Sequence, residues 1–240
     1  MTVSTRSPWG VFPLFLLVFS PYHPSLQQSQ EDIHLYKHGS VNLPAEIIDL
    51  KHAFPFGLKD CPYNKSILHP YLPSKGRAME LAIIYYRTVA WMYVFTSPYY
   101  LILICDFSNR YDPVSYDDFV NSIIHPIYGD RDDYPVLDNI HSHRLSVFFI
   151  VLAHGIFYHP HPPPESASAE QYHSLARAAL SLDSILIEVT PATAQAVFLI
   201  FRFIYDADLT AKEERWLLAG LCVRIAHTVG LMSDIGPQLC

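Results

Sequence analysis

An all-α fold is predicted: a multi-helix array of antiparallel neighbours behind an irregular, Pro-rich N-terminal segment. Three observations predict it. Apolar residues recur at spacings of three and four through much of the chain after Arg77. Residues suited to capping, Ser115, Ser168, Thr190 and Thr210, stand where such runs begin. Prolines at 21, 24, 44, 55, 62, 70 and 73 crowd the stretch before Arg77 and exclude long helices there.

Residues 1–76 therefore read as an irregular or poorly ordered extension. One short helix is admissible at Pro44–Ala53, with Pro44 in its first turn. The first long helix begins at Arg77. Its predicted inward face is Met79, Ala82, Ile83, Tyr86, Ala90, Tyr93 and Val94, with Glu80 and Arg87 on the other side. It stops near Pro98. A second, short helix is expected over Ser115–Ile124. Ser115 caps it, Asp117 and Asp118 lie in its first turn, and Phe119, Ile123 and Ile127 face inward, with Pro126 and Gly129 closing it.

Ile140–Ala153 is apolar around most of its circumference, so it predicts a helix buried on several sides, with Gly155 as its stop. Its β-branched residues leave a strand as the alternative. The tract His159–Pro164 cannot be helical. Ser168 and Gln171 have capping-box spacing ahead of a helix over Glu170–Ile187 that turns Tyr172, Leu175, Ala179, Leu182 and Leu186 inward. Its small residues Ala176, Ala178 and Ala179 permit close approach by a neighbour. Thr190-Pro191 starts a helix to Tyr205 that carries Ala194, Val197, Phe198 and Phe201. Thr210 and Glu213 mark the last capping box, before a helix that carries Trp216 and Leu217 and ends at about Val229, with Gly230 as its C-terminal residue. Residues 77–232 thus form the expected helical domain, and 233–240 a tail.

Composition narrows the function. The chain has 240 residues, 50% of them hydrophobic, enough for one sizeable core. Only 16% are charged and the formal charge is -7, with no Lys/Arg cluster. Nucleic-acid affinity depends on clustered positive charge, so direct DNA binding by this chain is not expected. Cys61, Cys105, Cys222 and Cys240 form no CxxC pair, so no zinc-cluster pattern is present and a reduced setting is the default.

Two rival readings have residues behind them. One is a membrane-associated helical protein acting through residues 88–105, which carry no charge but contain Pro98. In water that stretch reads better as a buried helix, a break and a second buried segment. The shorter apolar run at residues 9–19 has the look of a signal h-region but lacks a cleavage pattern. The other rival is a helical metal-dependent enzyme, built on His141, His143, His154, His159 and His161 with Asp138. No ordered zinc signature supports it, and helix-end and loop histidines are the simpler reading. Asp130, Asp132 and Asp133 lack the frame of a calcium loop. There is no G-x-S-x-G, no G-x-G-x-x-G and no phosphate loop. No catalytic, cofactor or metal residue is assigned. The aromatics, Trp216 included, are better read as core than as a pocket lining.

Five blocks nevertheless carry a resemblance: MELAIIYYRTVAWMYVF (79–95) with FVNSIIHPIY (119–128), RLSVFFIVLAHG (144–155), AEQYHSLARAALSLDS (169–184), PATAQAVFLIFRFIY (191–205) and ERWLLAGLCVRIAHTVGL (214–231). In order and spacing they resemble the fungal-specific transcription factor domain, the middle homology region of fungal zinc-cluster regulators. The resemblance covers residues 77–232. It implies an all-helical regulatory module of a nuclear protein that controls RNA polymerase II transcription, without catalysis. Such proteins contact DNA through a separate six-cysteine zinc cluster, which this sequence does not contain, so no zinc or DNA-contact residue carries over. The family domain continues past the position matching Cys240, so the resemblance also implies truncation at the C-terminal side. Protein partners or self-association, and a small-molecule effector, are the expected contacts. Four residues are structural expectations. Arg144, Arg177 and Arg224 are lone charges in apolar helices, expected to pair with Asp183, Glu170 or Glu214 across the bundle, and Trp216 is expected in the core.

Overall fold

A single helix organises the molecule. In the computed structural model, which describes residues 43–89, 113–129, 135–161, 167–208 and 210–230, Ser142–Phe157 is buried from Ser142 to Ile156 on every side except at Arg144. Around it stand α1 (Ala45–Ala53), a 3-10 segment (Lys65–Tyr71), α2 (Lys75–Thr88), α3 (Tyr116–Phe119), a π turn (Val120–Ile124) and α4 (His125–Tyr128). The central helix is α5, followed by α6 (Ala169–Leu182), α7 (Pro191–Ala207) and α8 (Lys212–Thr228). The described residues are all-helical and contain no strand, which removes the strand alternative for 140–153. They all lie in one compact unit, residues 39–90 and 113–240. α5 packs against α2, α6 and α7, α1 packs on α6, and α8 packs on α7.

Three of the four expected caps form. Ser115 Oγ accepts the Asp118 N–H at 3.1 Å, Ser168 Oγ accepts the Gln171 N–H at 3.1 Å, and Thr190 and Thr193 bond each other's N–H groups reciprocally. Gly230 closes α8 at φ +75°, where a side chain would be strained.

Several boundaries differ, each for a stated reason. The expected division at residue 76 falls inside the packed unit. Ile47, Leu50 and Leu68 are buried, and long-range side chains bind the carbonyls of the turns. Lys65 Nζ donates to Ile140 O at 2.7 Å, Tyr128 Oη to Pro73 O at 2.6 Å, and Ser184 Oγ to Phe56 O at 2.6 Å. In α2 the buried face is Ala78, Leu81, Ala82 and Tyr85, so Ala82 is inward as expected, while the face is otherwise rotated by one residue, about 100°, from Met79 and Ile83; Ile83 is exposed. The helix predicted to end before Pro126 continues to Tyr128. Pro126 lacks an N–H, and the chain accommodates it after a π turn in which the His125 N–H reaches back to Val120 O.

Gly155 does not stop α5. It lies inside the helix because a Cβ there would sit 2.4 Å from Leu81 O; the glycine is where α2 touches α5. α6 ends at Leu182, and Leu186 and Ile187 are 75% and 82% exposed, so Leu186 is not inward. α8 starts after Ala211 without a side-chain cap, because the Thr210 hydroxyl turns back to Asp208 Oδ1 at 2.6 Å. Trp216 is 64% exposed, not in the core. The stretches 88–105 (beyond Val89), 9–19, 130–134 and 233–240 lie outside the described residues. No helix among the described residues is long and apolar enough to cross a membrane.

Candidate functional site

Three polar clusters interrupt the apolar interior. The first joins the N-terminal ends of α5 and α7 to the C-terminal end of α6. His141 caps α5, its Nδ1 accepting the His143 N–H at 3.1 Å. Ser142 donates its hydroxyl to the Asp183 carboxylate. His143, fully buried, places Nε2 2.9 Å from Asp183 O and Nδ1 2.7 Å from Thr193 Oγ1. A carbonyl only accepts, so Nε2 carries the proton and Nδ1 accepts from Thr193. Thr193 Oγ1 in turn accepts the Thr190 N–H at 2.9 Å. Every proton in this chain has one acceptor. Burial lowers the His143 pKa, against the Asp183 hydrogen bond that favours the charged ring. A hydroxyl on a neutral imidazole suggests a nucleophile and its base, but Thr193 and His143 are both closed to solvent. No substrate reaches them, and the chain of bonds fixes three helix ends instead.

The second cluster flanks Phe203. His154 Nε2 meets Leu199 O at 3.1 Å, leaving Nδ1 buried without a partner. Burial drives this histidine's pKa down to about 3. His173 stacks on Phe203 at 4.8 Å, with Nδ1 3.4 Å from Glu170 Oε2. Burial also lowers its pKa, so it is a neutral donor to Glu170 near neutral pH. Burial raises the Glu170 pKa, but the bond from His173 and the Lys51 ammonium at 3.4 Å outweigh it and hold the carboxyl below the usual carboxylate range.

The third cluster centres on Arg177. Its guanidinium lies 4.6 Å above the Phe54 ring and reaches Glu214 Oε1 at 2.9 Å. One side chain thus connects the residues after α1, helix α6 and the start of α8. Glu214 is one of the three partners expected from sequence for Arg144, Arg177 and Arg224. Arg144 instead reaches Ser122 O at 3.2 Å and stands 4.0 Å from Asp118, on the π turn rather than across the bundle. Arg224 is exposed. A further group had no assignment from sequence. Arg202 pairs with Asp206 at 2.9 Å, and Tyr158 Oη donates to Asp206 at 2.9 Å. The i,i+4 spacing of Arg202 and Asp206 was a usable signal; nothing in sequence pointed to Tyr158.

The histidines of the metal reading are scattered. His141 and His143 touch, with ring centres 4.6 Å apart. His154 is in the core, His159 faces Glu80 at 3.7 Å, and Asp138 is exposed. Among the described residues, no three His, Cys, Asp or Glu side chains are placed to hold a metal ion. Burial pushes the Cys222 thiol up to about 12, far from the thiolate that nucleophilic attack requires. Comparison with known protein families, characterised proteins and solved structures finds no match.

Proposed function

We propose that this chain is a non-catalytic regulatory domain of a transcription regulator, acting in the nucleus on RNA polymerase II transcription. One observation supports the reading above others. Among the described residues, each of the five blocks that resemble the fungal-specific transcription factor domain lies largely on helical structure, in the order α2 with α3–α4, α5, α6, α7 and α8. The polar clusters serve the same reading, because they tie helices together around buried centres at His143, Thr193, His154 and His173. In this role the domain supplies a surface for protein partners and for a small effector. DNA contact, with its zinc, belongs to a separate module, in keeping with the net charge of -7. An effector or partner shifts the attached module only by binding one arrangement of the domain more tightly than another. Arg177 is the side chain through which such a shift would pass from α8 to α6 and the residues after α1.

The test is to fuse the full chain to an unrelated DNA-binding module and measure a reporter under that module's sites. A several-fold change in transcription relative to the module alone is expected, in either direction. Reporter output equal to that of the module alone would contradict the reading.

A further inference from the structure

α8 presents a face that nothing in the described structure covers. Its buried residues are Leu218, Ala219 and Ile225, on the side toward α7. On the opposite side Trp216 and Leu217 are 64% and 62% exposed, and Gly220 has no atom within 4 Å of where a Cβ would stand. Glu213 and Arg224 are exposed at either end of the same stripe, and neither forms an ion pair with a described residue. The positions Glu213, Leu217, Gly220 and Arg224 step by four, three and four, the spacing that keeps one seam of a helix facing a partner helix.

The charges select both the partner and its direction. In a parallel pair of such helices Glu213 would meet Glu213 and Arg224 would meet Arg224. In an antiparallel pair about a two-fold axis between Leu218 and Ala219, Glu213 meets Arg224 of the second copy, and the reverse contact forms by symmetry. The same register sets Leu217 against Gly220 of the second copy. The gap over that glycine receives the leucine and the neighbouring indole, so large meets small twice. We infer that α8 is a self-association surface, and that two copies of this chain pair antiparallel through Glu213, Trp216, Leu217, Gly220 and Arg224. The pairing asks nothing of the transcription-regulator reading and stands or falls separately. One 17-residue helix per copy offers less area than a standard stable interface, so the pairing is expected to be concentration-dependent.

Sedimentation velocity on the full chain, from about 1 to 100 µM, tests it. A concentration-dependent monomer–dimer equilibrium is expected. Leu217→Asp, Glu213→Arg and Arg224→Glu should each weaken it by about tenfold or more. Circular dichroism and the thermal midpoint of the monomer should be unchanged, because all three residues are exposed. The double swap Glu213→Arg with Arg224→Glu should restore association. A chain that stays monomeric throughout assigns this face to some other partner and overturns the proposal. So does a dimer indifferent to the single substitutions, or a double swap that fails to rescue.

Discussion

His143 and Thr193 show how a buried polar residue is made safe. Both imidazole nitrogens are bonded and the tautomer is dictated by the Asp183 carbonyl. Thr193→Val keeps the shape and removes the hydroxyl, so Nδ1 of His143 and the N–H of Thr190 lose their partner together. A loss of about 1–3 kcal/mol is expected for such an unsatisfied buried group, read from urea denaturation. His154 makes a different prediction. Its folded pKa lies well below the ordinary histidine value, so the unfolded chain takes up its proton first as pH falls. Its contribution is complete above about pH 6.5 and declines on acidification toward about pH 3, by about 1 kcal/mol per pH unit. His143 and His173 add in the same direction. Denaturation midpoints from pH 7 to pH 5 should fall in the native protein and fall less steeply in His154→Gln. Sequence could flag Arg177 as a lone charge and name Glu214 among its partners. It could not supply Phe54, more than a hundred positions away, because no local pattern encodes which ring a cation will cover.

Elements were legible where their signals are local. The hydroxyls of Ser115, Ser168 and Thr190 act within three residues, and sequence spacing states that directly. Misreadings fall where the deciding contact is tertiary. Leu186 and Ile187 continue the apolar rhythm of α6, yet the chain has already turned at Asp183, which bonds Ser142 and His143 on α5. Thr210 has the spacing of a cap but spends its hydroxyl on Asp208. Gly155 looks like a helix stop and is a contact point with Leu81. Ordinarily, Gly→Ala within a helix is stabilising by about 1 kcal/mol. At Gly155 the added methyl would meet the Leu81 backbone at 2.4 Å, so Gly155→Ala should destabilise by about 1–3 kcal/mol as α2 is pushed off α5. Gly76, in α2 with open space around it, is the control: Gly76→Ala should leave the thermal midpoint unchanged or raise it. A rise for Gly155→Ala would mean that α2 does not seat on α5 as described.

At the scale of the whole molecule, the all-helical class and its antiparallel succession were readable from periodicity and caps, but the extent of the unit was not. Prolines made residues 43–76 look like a detachable extension. In the structure those prolines bound or interrupt short elements that are tied to the rest of the unit: Tyr128 and Ser184 claim the carbonyls of Pro73 and Phe56, and Lys65 claims that of Ile140, all contacts of long sequence separation. A chain beginning at residue 77 therefore loses Ile47, Leu50 and Leu68 from the core. At about 1.5–3 kcal/mol for each buried side chain, the loss rivals the total stability of a typical domain. Such a chain should unfold at a much lower temperature than one beginning at residue 39, or fail to fold. The candidate site follows the same logic: its polar clusters sit where distant helices meet, so sequence named several members and none of the clusters.

The regulatory reading needs these helices to open and close as one body, and native-state hydrogen exchange on the full chain measures that directly. If α1 is part of the unit, amides at Leu50 and its neighbours should open with the same free energy as those of α5, near Phe149 and Ile150. If α1 exchanges at the rate of an unstructured peptide while α5 stays protected, the single interlocked unit described above does not exist.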